Sequence, residues 1–589
     1  MAEITITFEG EPVRARASES LAAALTAGGI RELRETRSGA LRGVFCGMGV
    51  CQDCLVEVDG RPNQRACMTK AAEGMAIRRH ADFRRLPHQS LPPVTIDAVP
   101  VTKPEVLVIG AGPGGLSAAI AARRAGAEVI VVDERSAPGG QFYKQLGIGS
   151  STNALDDPPH PTASRPPSPV LSLSKGGEGF SPPDAQHLDG RKLIDEALRL
   201  GVAIHSDVLV WGAFDTGQLA ATVSGATLLF EPKRLIVATG AYERGVPAPG
   251  WTLPGVMTTG AAQTFWRAAR RLPGRRVLIA GNGPLNLQLA SELLVGGAEV
   301  VAVVEAAQAP SARQAAALAE MARISPGLFA DGVRYRARLA SARSPLLYGS
   351  MLAEIETRDG ALSARVQRIG ESSEGRIFSV DAVCMGYGFE PSNELLRSLG
   401  AAHDFDPARG YLVTRRDADC RTSAPAVFAL GDCTGLGGAH AALAEGRIAG
   451  FSAAADLGHA LSPALAQELK QARRDLARHR RFQAALWKLY AAPRFGLELA
   501  RPDTILCRCE EVSVGEIEAA LAEGHASVGN LKRRTRAGMG RCQGRYCAPL
   551  LNHLVATRCG RPQDEYSGFA PRVPVKPVTI ADLAGAGEL

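Results

Sequence analysis

The sequence predicts a multidomain protein whose parts belong to the α/β and α+β classes. The chain has 589 residues, which at roughly 150 residues per domain corresponds to about four domains. In its middle, two glycine-rich turns each follow an apolar strand and precede a helix, as in a βαβ unit. Eight of the twelve cysteines lie in two groups of four, one near each end. These observations predict two nucleotide-binding folds in tandem between two small cysteine-containing domains.

Composition and charge exclude several classes of protein. Hydrophobic residues make up 46% and charged residues 22% of the chain, as in ordinary globular proteins. The net charge of +7 is too dilute over this length to indicate nucleic-acid binding. We find no apolar stretch long enough to cross a membrane and no signal peptide, so we expect a cytoplasmic protein without a transmembrane segment. In a reducing compartment, clustered cysteines are more often metal ligands or redox groups than disulfides.

The first cysteine group has the spacing of an iron–sulfur site. Cys46, Cys51 and Cys54 are spaced C-x4-C-x2-C, as in plant-type ferredoxins, and Cys67 supplies a fourth thiolate. Four thiolates are what a [2Fe-2S] cluster needs. A zinc site or unliganded thiols are the alternatives, although this spacing is unusual for zinc. The segment resembles the small β-grasp, ferredoxin-like [2Fe-2S] domain.

The first glycine-rich turn has the G-x-G-x-x-G fingerprint of a dinucleotide site. It follows an apolar strand and precedes an alanine-rich helix, so a pyrophosphate would lie at the helix N-terminus. The next strand ends in two acidic residues, at the distance expected of a carboxylate that binds a ribose 2′-OH. We choose the second, because it closes the strand before a Gly-Gly-Gln run that resembles two-dinucleotide-domain flavoproteins. The predicted binding residues are Gly110, Gly112, Gly114, Gly115, Glu134 and Gln141.

Two later motifs resemble those of the same flavoproteins and imply FAD as the cofactor. Residues 235–240 resemble the strand and turn that passes the cofactor in that family, and residues 427–432 resemble its distal motif. The resemblance implies that Gly240 lies at the cofactor and that Asp432 binds its ribityl chain. Two alternatives are that this fold binds no nucleotide or that it binds a different one, such as ATP, because a fold does not determine function.

The second glycine-rich turn repeats the fingerprint with one change. Gly281 and Gly283 match it, Glu305 ends the following strand as a ribose candidate, and Asn286 replaces the third glycine. This replacement permits the fold but weakens the case for NAD(P). No C-x-x-C pair lies near either fingerprint, which disfavours a disulfide reductase of the thioredoxin reductase type. The catalytic residues remain unknown, with His440 as a lone candidate near the flavin.

The second cysteine group has a C-x-C and a C-x4-C pair with 32 residues between them, some of which are predicted to form a helix over 513–523. Its cysteines are Cys507, Cys509, Cys542 and Cys547. The pattern resembles the bacterioferritin-associated ferredoxin-like domain, a helical four-cysteine domain, which implies a second [2Fe-2S] cluster. Zinc is a stronger alternative here than in the first group. The arginines Arg508, Arg541 and Arg545 lie beside the predicted ligands, where they would raise a cluster potential or offset the thiolates.

The patterns divide the chain into segments. A proline- and serine-rich insertion is expected to be disordered, and the last residues carry little signal. In order, we predict a ferredoxin-like domain at 1–88, a linker at 89–104, an FAD-binding domain at 105–149, 185–275 and 370–460, the insertion at 150–184, an NAD(P)-binding-like domain at 276–369, a helical connector at 461–500, a [2Fe-2S] domain at 501–559 and a tail at 560–589.

The order of these domains resembles the A and B subunits of bacterial hydrogen cyanide synthase joined in one chain. It is equally similar to the A subunits of opine oxidases and of D-hydroxyproline or proline dehydrogenase complexes. Residues 238–244 and 249–260 are most specific to this group. The resemblance implies an FAD-dependent oxidoreductase acting on CH–NH or CH–NH2 donors, whose partner is a separate amine-oxidising FAD subunit.

In such complexes electrons pass from the partner through flavin and clusters to an acceptor, a quinone or another carrier. Peripheral contact with a membrane through the complex stays open, as do NAD(P) at the second fold and a second flavin, FMN, at a subunit interface. Two other hypotheses are a self-contained NAD(P)H-dependent reductase and a redox-sensing or scaffold protein. Direct reduction by NAD(P)H distinguishes the first of these.

Overall fold

A computed structural model describes residues 2–81, 99–146, 184–214, 217–223, 225–371 and 375–584. The predicted insertion at 150–184 lies outside these residues except for Asp184, whose side chain accepts a hydrogen bond from the His187 amide at the start of a helix. Among the described residues, no helix is both long and apolar enough to span a membrane.

The N-terminal domain is a mixed sheet with one helix against it. The alternation of apolar and polar residues over 3–17 predicts a hairpin, which is confirmed because its two strands pair antiparallel in register. The sequence also predicts Ser18 as the N-cap of a helix that ends near Ala27. The helix begins two residues later, because Ser18 has a left-handed φ of 68° and Ser20 caps the Ala23 amide instead. The elements are β1 (Glu3–Phe8), β2 (Glu11–Arg16), α1 (Leu21–Ala27), β3 (Arg34–Glu35), β4 (Leu41–Arg42), β5 (Leu55–Val58), β6 (Arg61–Arg65) and β7 (Ala76–Ala81).

The next segment begins the first nucleotide-binding fold. Its elements are β8 (Val101–Thr102), β9 (Val106–Ile109), α2 (Pro113–Arg124), β10 (Val129–Val132), α3 (Ala185–Arg199), β11 (Ala203–His205), β12 (Leu209–Ala213), β13 (Leu219–Val223), β14 (Ala226–Phe230), β15 (Arg234–Val237) and β16 (Ala241–Glu243). Strand β8, at the end of the predicted linker, pairs with β14. Strand β9 is fully buried, as expected of a parallel strand covered on both faces.

The second nucleotide-binding fold is an all-parallel sheet in the order β17-β24-β18-β19-β20. Its segment contains β17 (Val256–Thr258), α4 (Thr259–Ala269), β18 (Arg276–Gly281), α5 (Pro284–Val295), β19 (Glu299–Glu305), α6 (Ala315–Ile324), α7 (Pro326–Ser341), β20 (Leu346–Tyr348), β21 (Ser350–Arg358), β22 (Ala361–Arg368), β23 (Arg376–Val380) and β24 (Ala382–Gly386). Strands β17 and β24 lie outside the predicted range 276–369. The difference arises because short apolar strands at a fold boundary do not reveal which sheet they join.

The chain then returns to the first fold through β25 (Phe389–Pro391), α8 (Glu394–Ser398), β26 (His403–Asp406), β27 (Tyr411–Thr414), β28 (Val427–Ala429) and α9 (Ala439–Ala455). This completes an all-parallel sheet in the order β11-β10-β9-β15-β28. Helices α2 and α9 pack against this sheet through small residues such as Ala118 and Ala444, which are fully buried.

The C-terminal part consists of α10 (Pro463–Leu489), β29 (Ile505–Cys507), β30 (Val512–Ser513), α11 (Val514–Ala522), α12 (Val528–Thr535), α13 (Ala548–Cys559) and α14 (Ile580–Ala584). The tail is structured against the first fold: the Val575 amide donates to the Trp211 carbonyl at 2.7 Å, and Thr227 donates to the Asp582 carbonyl at 2.6 Å. The N-terminal domain shares one hydrophobic core with α4 and α5, so its cysteine loop is held against the second fold.

Candidate functional site

The first cysteine site is a buried loop that rests on the start of α4. Its four cysteines, Cys46, Cys51, Cys54 and Cys67, are all buried free thiols. Gly47 has a φ of 62°, and a Cβ there would lie 2.8 Å from Ala261 Cα, so a larger residue would push the loop off the helix. The Phe45 carbonyl accepts from the Thr258 amide at 2.8 Å. The loop is therefore fixed on both sides of Cys46.

Backbone amides surround the thiol of Cys46. The amides of Met48 and Cys51 donate to its Sγ at 3.5 and 3.4 Å. Burial alone would raise the pKa of Cys46, but the hydrogen bonds from Cys51, Met48 and Val50 outweigh it and lower the pKa to about 6. Four buried thiols, one of which has backbone amides directed at its sulfur, fit a [2Fe-2S] cluster.

The second cysteine site is formed by β29 and the turn before α13. Cys509 Sγ lies 3.9 Å from Cys507 Sγ and 3.6 Å from Cys542 Sγ, while Cys547 is buried beside them. A Cβ at Gly540 would lie 2.5 Å from Cys509 Sγ, so the turn approaches the thiols closely. This set of four sulfur donors also fits a cluster.

The two cysteine sites are neighbours in space. Phe45, which precedes Cys46, and Tyr546, which precedes Cys547, form a T-shaped ring contact with centroids 5.3 Å apart. Both rings are buried, together with Cys46 and Cys542, in one hydrophobic cluster. The segments that carry the two sets of thiols are thus in direct contact.

The first glycine-rich turn is shaped to receive an anion. Gly110 and Gly112 connect β9 to α2, and Gly114 and Gly115 lie in the first turn of that helix. Within the described residues, no side chain caps its first amides. A Cβ at Gly115 would lie 1.8 Å from the Gly110 carbonyl oxygen, so helix and strand approach too closely for any side chain. The helix N-terminus therefore presents its amides to a phosphate, as a dinucleotide requires.

Two carboxylates follow β10, and the structure places them differently. The predicted ribose ligand Glu134 accepts from Lys576 Nζ in the tail at 2.5 Å. Asp133, which we did not select, is buried and accepts from the Ala111 amide within the glycine-rich turn at 2.6 Å. Asp133 is thus a second candidate for the ribose contact. In the sequence, the two carboxylates differ by one position and carry the same signal.

The remaining predicted flavin residues lie on segments that contact the same turn, through Ala238, Leu430 and Gly140. Gly240 connects β15 to β16. Asp432 accepts from the amides of Gly437 and Gly438 at 2.9 and 2.8 Å, which orders the turn before α9, and burial raises its pKa. Gln141 accepts from Lys144 Nζ at 2.6 Å.

Lys144 and Glu243 are buried groups that we did not predict. Burial, followed by the charges of Arg135 and Arg267, holds the pKa of Lys144 well below its usual range. Lys144 also contacts the Thr264 hydroxyl on α4, and Glu243 accepts from the Gly260 amide of the same helix at 2.8 Å. Helix α4 therefore lies between the predicted flavin residues and the first cysteine loop.

The lone catalytic candidate His440 lies at the start of α9. Its ring stacks on His479 of α10 with centroids 5.3 Å apart, and it also contacts Phe142. Burial lowers the pKa of His440 and, with the charges of His440 and Arg478, lowers that of His479 to about 4. The environment therefore favours the neutral form of both rings.

The second glycine-rich turn has the same strand, turn and helix as the first, but the side chains of Asn282 and Asn286 form hydrogen bonds at this turn. Gly281 ends β18, Gly283 precedes α5, and the buried Glu305 accepts from the Gly283 amide at 3.1 Å. Asn286 donates to the Gly386 carbonyl at 3.1 Å. Asn282 donates to the Tyr490 carbonyl at 3.0 Å, so the end of α10 lies over this turn.

Comparison with known proteins gives three family matches, one for the nucleotide-binding folds and one for each cysteine site. Residues 104–446 match the pyridine nucleotide-disulphide oxidoreductase family, residues 1–82 a 2Fe-2S iron-sulfur cluster binding domain, and residues 505–557 a BFD-like [2Fe-2S] binding domain. These matches support FAD and two iron–sulfur domains and confirm the predicted fold class.

Relatives are similar along most of the chain. The A subunit of opine oxidase from Agrobacterium tumefaciens is 32% identical over 82% of this chain and 91% of its own length. The HcnB subunit of hydrogen cyanide synthase from Pseudomonas aeruginosa is 34% identical, with 82% and 98% covered. The crystal structure of L-proline dehydrogenase from P. horikoshii is 20% identical with a TM-score of 0.68, covering 99% of this chain and 97% of that chain, and it shares the fold.

These similarities confirm the resemblance inferred from the motifs, and with the family matches they confirm the predicted class of enzyme. The chain belongs to the pyridine nucleotide-disulphide oxidoreductase family and is an FAD-dependent oxidoreductase with a [2Fe-2S] binding domain at each end.

Proposed function

We propose that this chain is the electron-transferring subunit of an amine, amino-acid or opine dehydrogenase complex. The observation that carries the proposal is the succession of sites. Lys144 links the predicted flavin residue Gln141 to α4, α4 contacts the first cysteine loop, and that loop contacts the second cysteine site. The relatives named for the A subunit of opine oxidase and the HcnB subunit of hydrogen cyanide synthase support the assignment to a multisubunit complex.

The chain's own residues would hold FAD and shield it from water. The amides at the start of α2 would bind the pyrophosphate, Glu134 or Asp133 the ribose, and the other oxygen of Asp432, Oδ2, the ribityl chain. When bound, FAD accepts electrons in pairs and passes them on singly to one-electron clusters. Lys144, buried and close to Gln141, would hold or release a proton at its Nζ during this exchange.

The dehydrogenation itself is assigned to a separate subunit. The described residues that surround the predicted flavin site offer His440, Lys144 and Glu243 as titratable groups, but no arrangement of nucleophile and base. The proposed partner is therefore an amine-oxidising FAD subunit, with FMN at the interface as a further cofactor, and the proposed acceptor is a quinone or similar carrier. We place the complex in the cytoplasm, with peripheral membrane contact through the acceptor.

The test is reduction of this chain by such a partner. The purified chain is mixed anaerobically with a co-expressed amine-oxidising subunit, then with proline or an opine, and flavin and cluster absorbance is followed. The partner's own flavin should bleach with amine alone, whereas we expect the cluster bands of this chain to bleach only when chain, partner and amine are all present. If the chain loaded with FAD and iron stayed oxidised with every amine, the proposal would fail.

A second candidate, a self-contained NAD(P)H-dependent reductase, is favoured by one observation. Glu305 contacts the second turn as Asp133 contacts the first, so the acidic residue of an NAD fold is in place. The test is to add excess NADH to the anaerobic chain without the partner and to record the flavin and cluster absorbance. Bleaching within seconds would support the reductase, whereas an unchanged spectrum favours the partner-dependent subunit.

A further inference from the structure

We propose that Arg508 is a positioning residue that fixes the two cysteine sites relative to each other. The inference rests on the proposed function, since it takes each site to hold a [2Fe-2S] cluster. Arg508 lies between the predicted ligands Cys507 and Cys509. Its Nε donates to Asp53 Oδ2 at 2.7 Å, and Asp53 directly precedes the predicted ligand Cys54. One ion pair thus joins the ligand loops of both sites.

This ion pair is completely enclosed. The side chains of Arg508 and Asp53 are 4% and 0% exposed, and Arg34 approaches the other oxygen of Asp53 at 3.7 Å. A buried ion pair contributes little to stability, because desolvation offsets its attraction. Its effect is instead to specify one arrangement, since any displacement would leave a charge buried without a partner.

Arg508 also contacts the core of the enzyme. Its Nη1 donates to the Trp251 carbonyl at 2.7 Å, and Trp251 Nε1 donates to the Ile505 carbonyl at 2.7 Å. The guanidinium carbon lies 3.8 Å from the centroid of the Phe45 ring and 4.6 Å from that of Trp251. Arg508 therefore contacts all three parts: the N-terminal domain, the segment before β17 and its own domain.

The surrounding contacts extend the same interface outward. Glu511, two residues after Cys509, accepts from Arg42 at 3.2 Å and from the Ser38 amide and hydroxyl at 3.1 and 2.8 Å. These contacts lie nearer the surface than the pair of Arg508 and Asp53. The ring contact of Phe45 with Tyr546 lies on the buried side of the same interface. Functional groups keep a fixed geometry only when a packed shell of this kind supports them.

The experiment compares two arginine variants by electron paramagnetic resonance. Arg508→Gln removes the buried guanidinium. Arg536→Gln is the matched control, because Arg536 pairs at 2.8 Å with Glu510, beside the same Cys509, but is 60% exposed. Wild-type, variant and control chains are loaded with iron and sulfide, and the iron content per chain is measured. Spectra are recorded after reduction with dithionite.

We expect wild-type and Arg536→Gln chains to show the same magnetic interaction between the two reduced clusters. The Arg508→Gln chain is expected to show two cluster signals in which that interaction is lost or spread over many geometries. A wild-type chain with two cluster signals but no interaction would overturn the inference. So would an Arg508→Gln chain whose interaction matches the wild type.

A triple variant, Arg34→Met with Asp53→Leu and Arg508→Met, covers the case in which Arg508→Gln does not load iron. It replaces the three buried charges together, and such apolar replacement commonly preserves folding, yet it removes the hydrogen bond to Trp251. We expect this variant to load both clusters with an altered interaction, and an unaltered one would overturn the inference. A wild-type chain that lacks two [2Fe-2S] signals would instead contradict the proposed function.

Discussion

The two nucleotide-binding folds of this chain share a plan but differ in how their turns are closed. Each has an apolar strand, a glycine-rich turn, a helix and an acidic residue that accepts a hydrogen bond from that turn: Asp133 in the first and Glu305 in the second. In the first fold, Gly115 lets helix and strand touch. In the second, Asn286 occupies the equivalent position and bonds to neighbouring elements.

The difference shows what the third glycine of the fingerprint does. Asn286 donates to the Gly386 carbonyl of β24 at 3.1 Å and accepts from the Thr259 hydroxyl of α4 at 2.9 Å. Its amide replaces a close backbone contact with two hydrogen bonds, so the fold survives without the glycine. The turn below it is also covered, because Asn282 bonds to the Tyr490 carbonyl. The same plan thus gives a turn that packs against the backbone of Gly140 in the first fold and a turn that bonds to the carbonyl after α10 in the second.

The largest effect is expected from Gly115→Ala in the first fold. A Cβ there would lie 1.8 Å from the Gly110 oxygen, so helix α2 must move, at a cost of about 3 kcal/mol or more. We expect loss of bound FAD, measured by absorbance at constant protein. Gly332→Ala, in the interior of α7 where a Cβ meets nothing within 4 Å, is the control and should retain FAD. Retention of FAD by Gly115→Ala would show that close packing is not required.

The next effect concerns Glu305, whose pKa burial raises to about 7 although amides of the turn oppose this. Between about pH 4.5 and 7 the folded chain then binds more protons than the unfolded one, so stability falls as pH rises through this window. Glu305→Gln should remove a pH-dependent difference of up to about 3 kcal/mol. Urea unfolding at pH 5 and pH 7.5 measures it. Identical pH dependence in both chains would contradict the burial of this carboxyl.

A smaller effect is expected from Asn286→Ala. Removing the side chain leaves the Gly386 carbonyl and the Thr259 hydroxyl without this partner, which costs about 2 kcal/mol. We expect a lower free energy of unfolding with FAD content unchanged, because the first fold is untouched. Loss of FAD in this variant would mean that the second fold also shapes the flavin site.

The smallest effect is expected at the edge of the first fold. Burial would raise the pKa of Glu134, but Lys576, Arg65 and Arg135 outweigh it and lower the pKa to about 2. The ion pair therefore stabilises the chain above about pH 4.5, and this contribution is lost as pH falls toward 2. Lys576→Met should lower stability at pH 7 by at most about 1 kcal/mol, since the pair is partly exposed. An equal loss at pH 2.5 would argue against the ion pair.

Sequence reasoning succeeded where local spacing carries the information. The cysteine spacings predicted two [2Fe-2S] binding domains, which the family matches confirm. The fingerprint at Gly110 predicted a strand, turn and helix, which the structure has, since each signal depends on neighbours in the chain. Residues 249–260 were noted without a physical reason, and the structure supplies one: Trp251 joins the core to the C-terminal domain.

The remaining features depend on contacts between distant parts of the chain. Arg508 and Asp53 are 455 positions apart in the sequence, and Lys576 and Glu134 are 442 positions apart. One sequence gives no signal for either contact. The sequence pattern also fits either Asp133 or Glu134 as the ribose ligand, and it fits β17 and β24 in either sheet. Only the packing in the folded chain distinguishes these alternatives.

An anaerobic titration of the purified chain with dithionite tests the central claim most directly, with flavin and iron quantified on the same sample. FAD takes up two electrons and each [2Fe-2S] cluster one, so we predict about four electron equivalents per chain. Both cluster and flavin bands should bleach before the end point. Uptake of about two equivalents with full flavin content would contradict the claim, because the cysteine sites would then hold no redox centre.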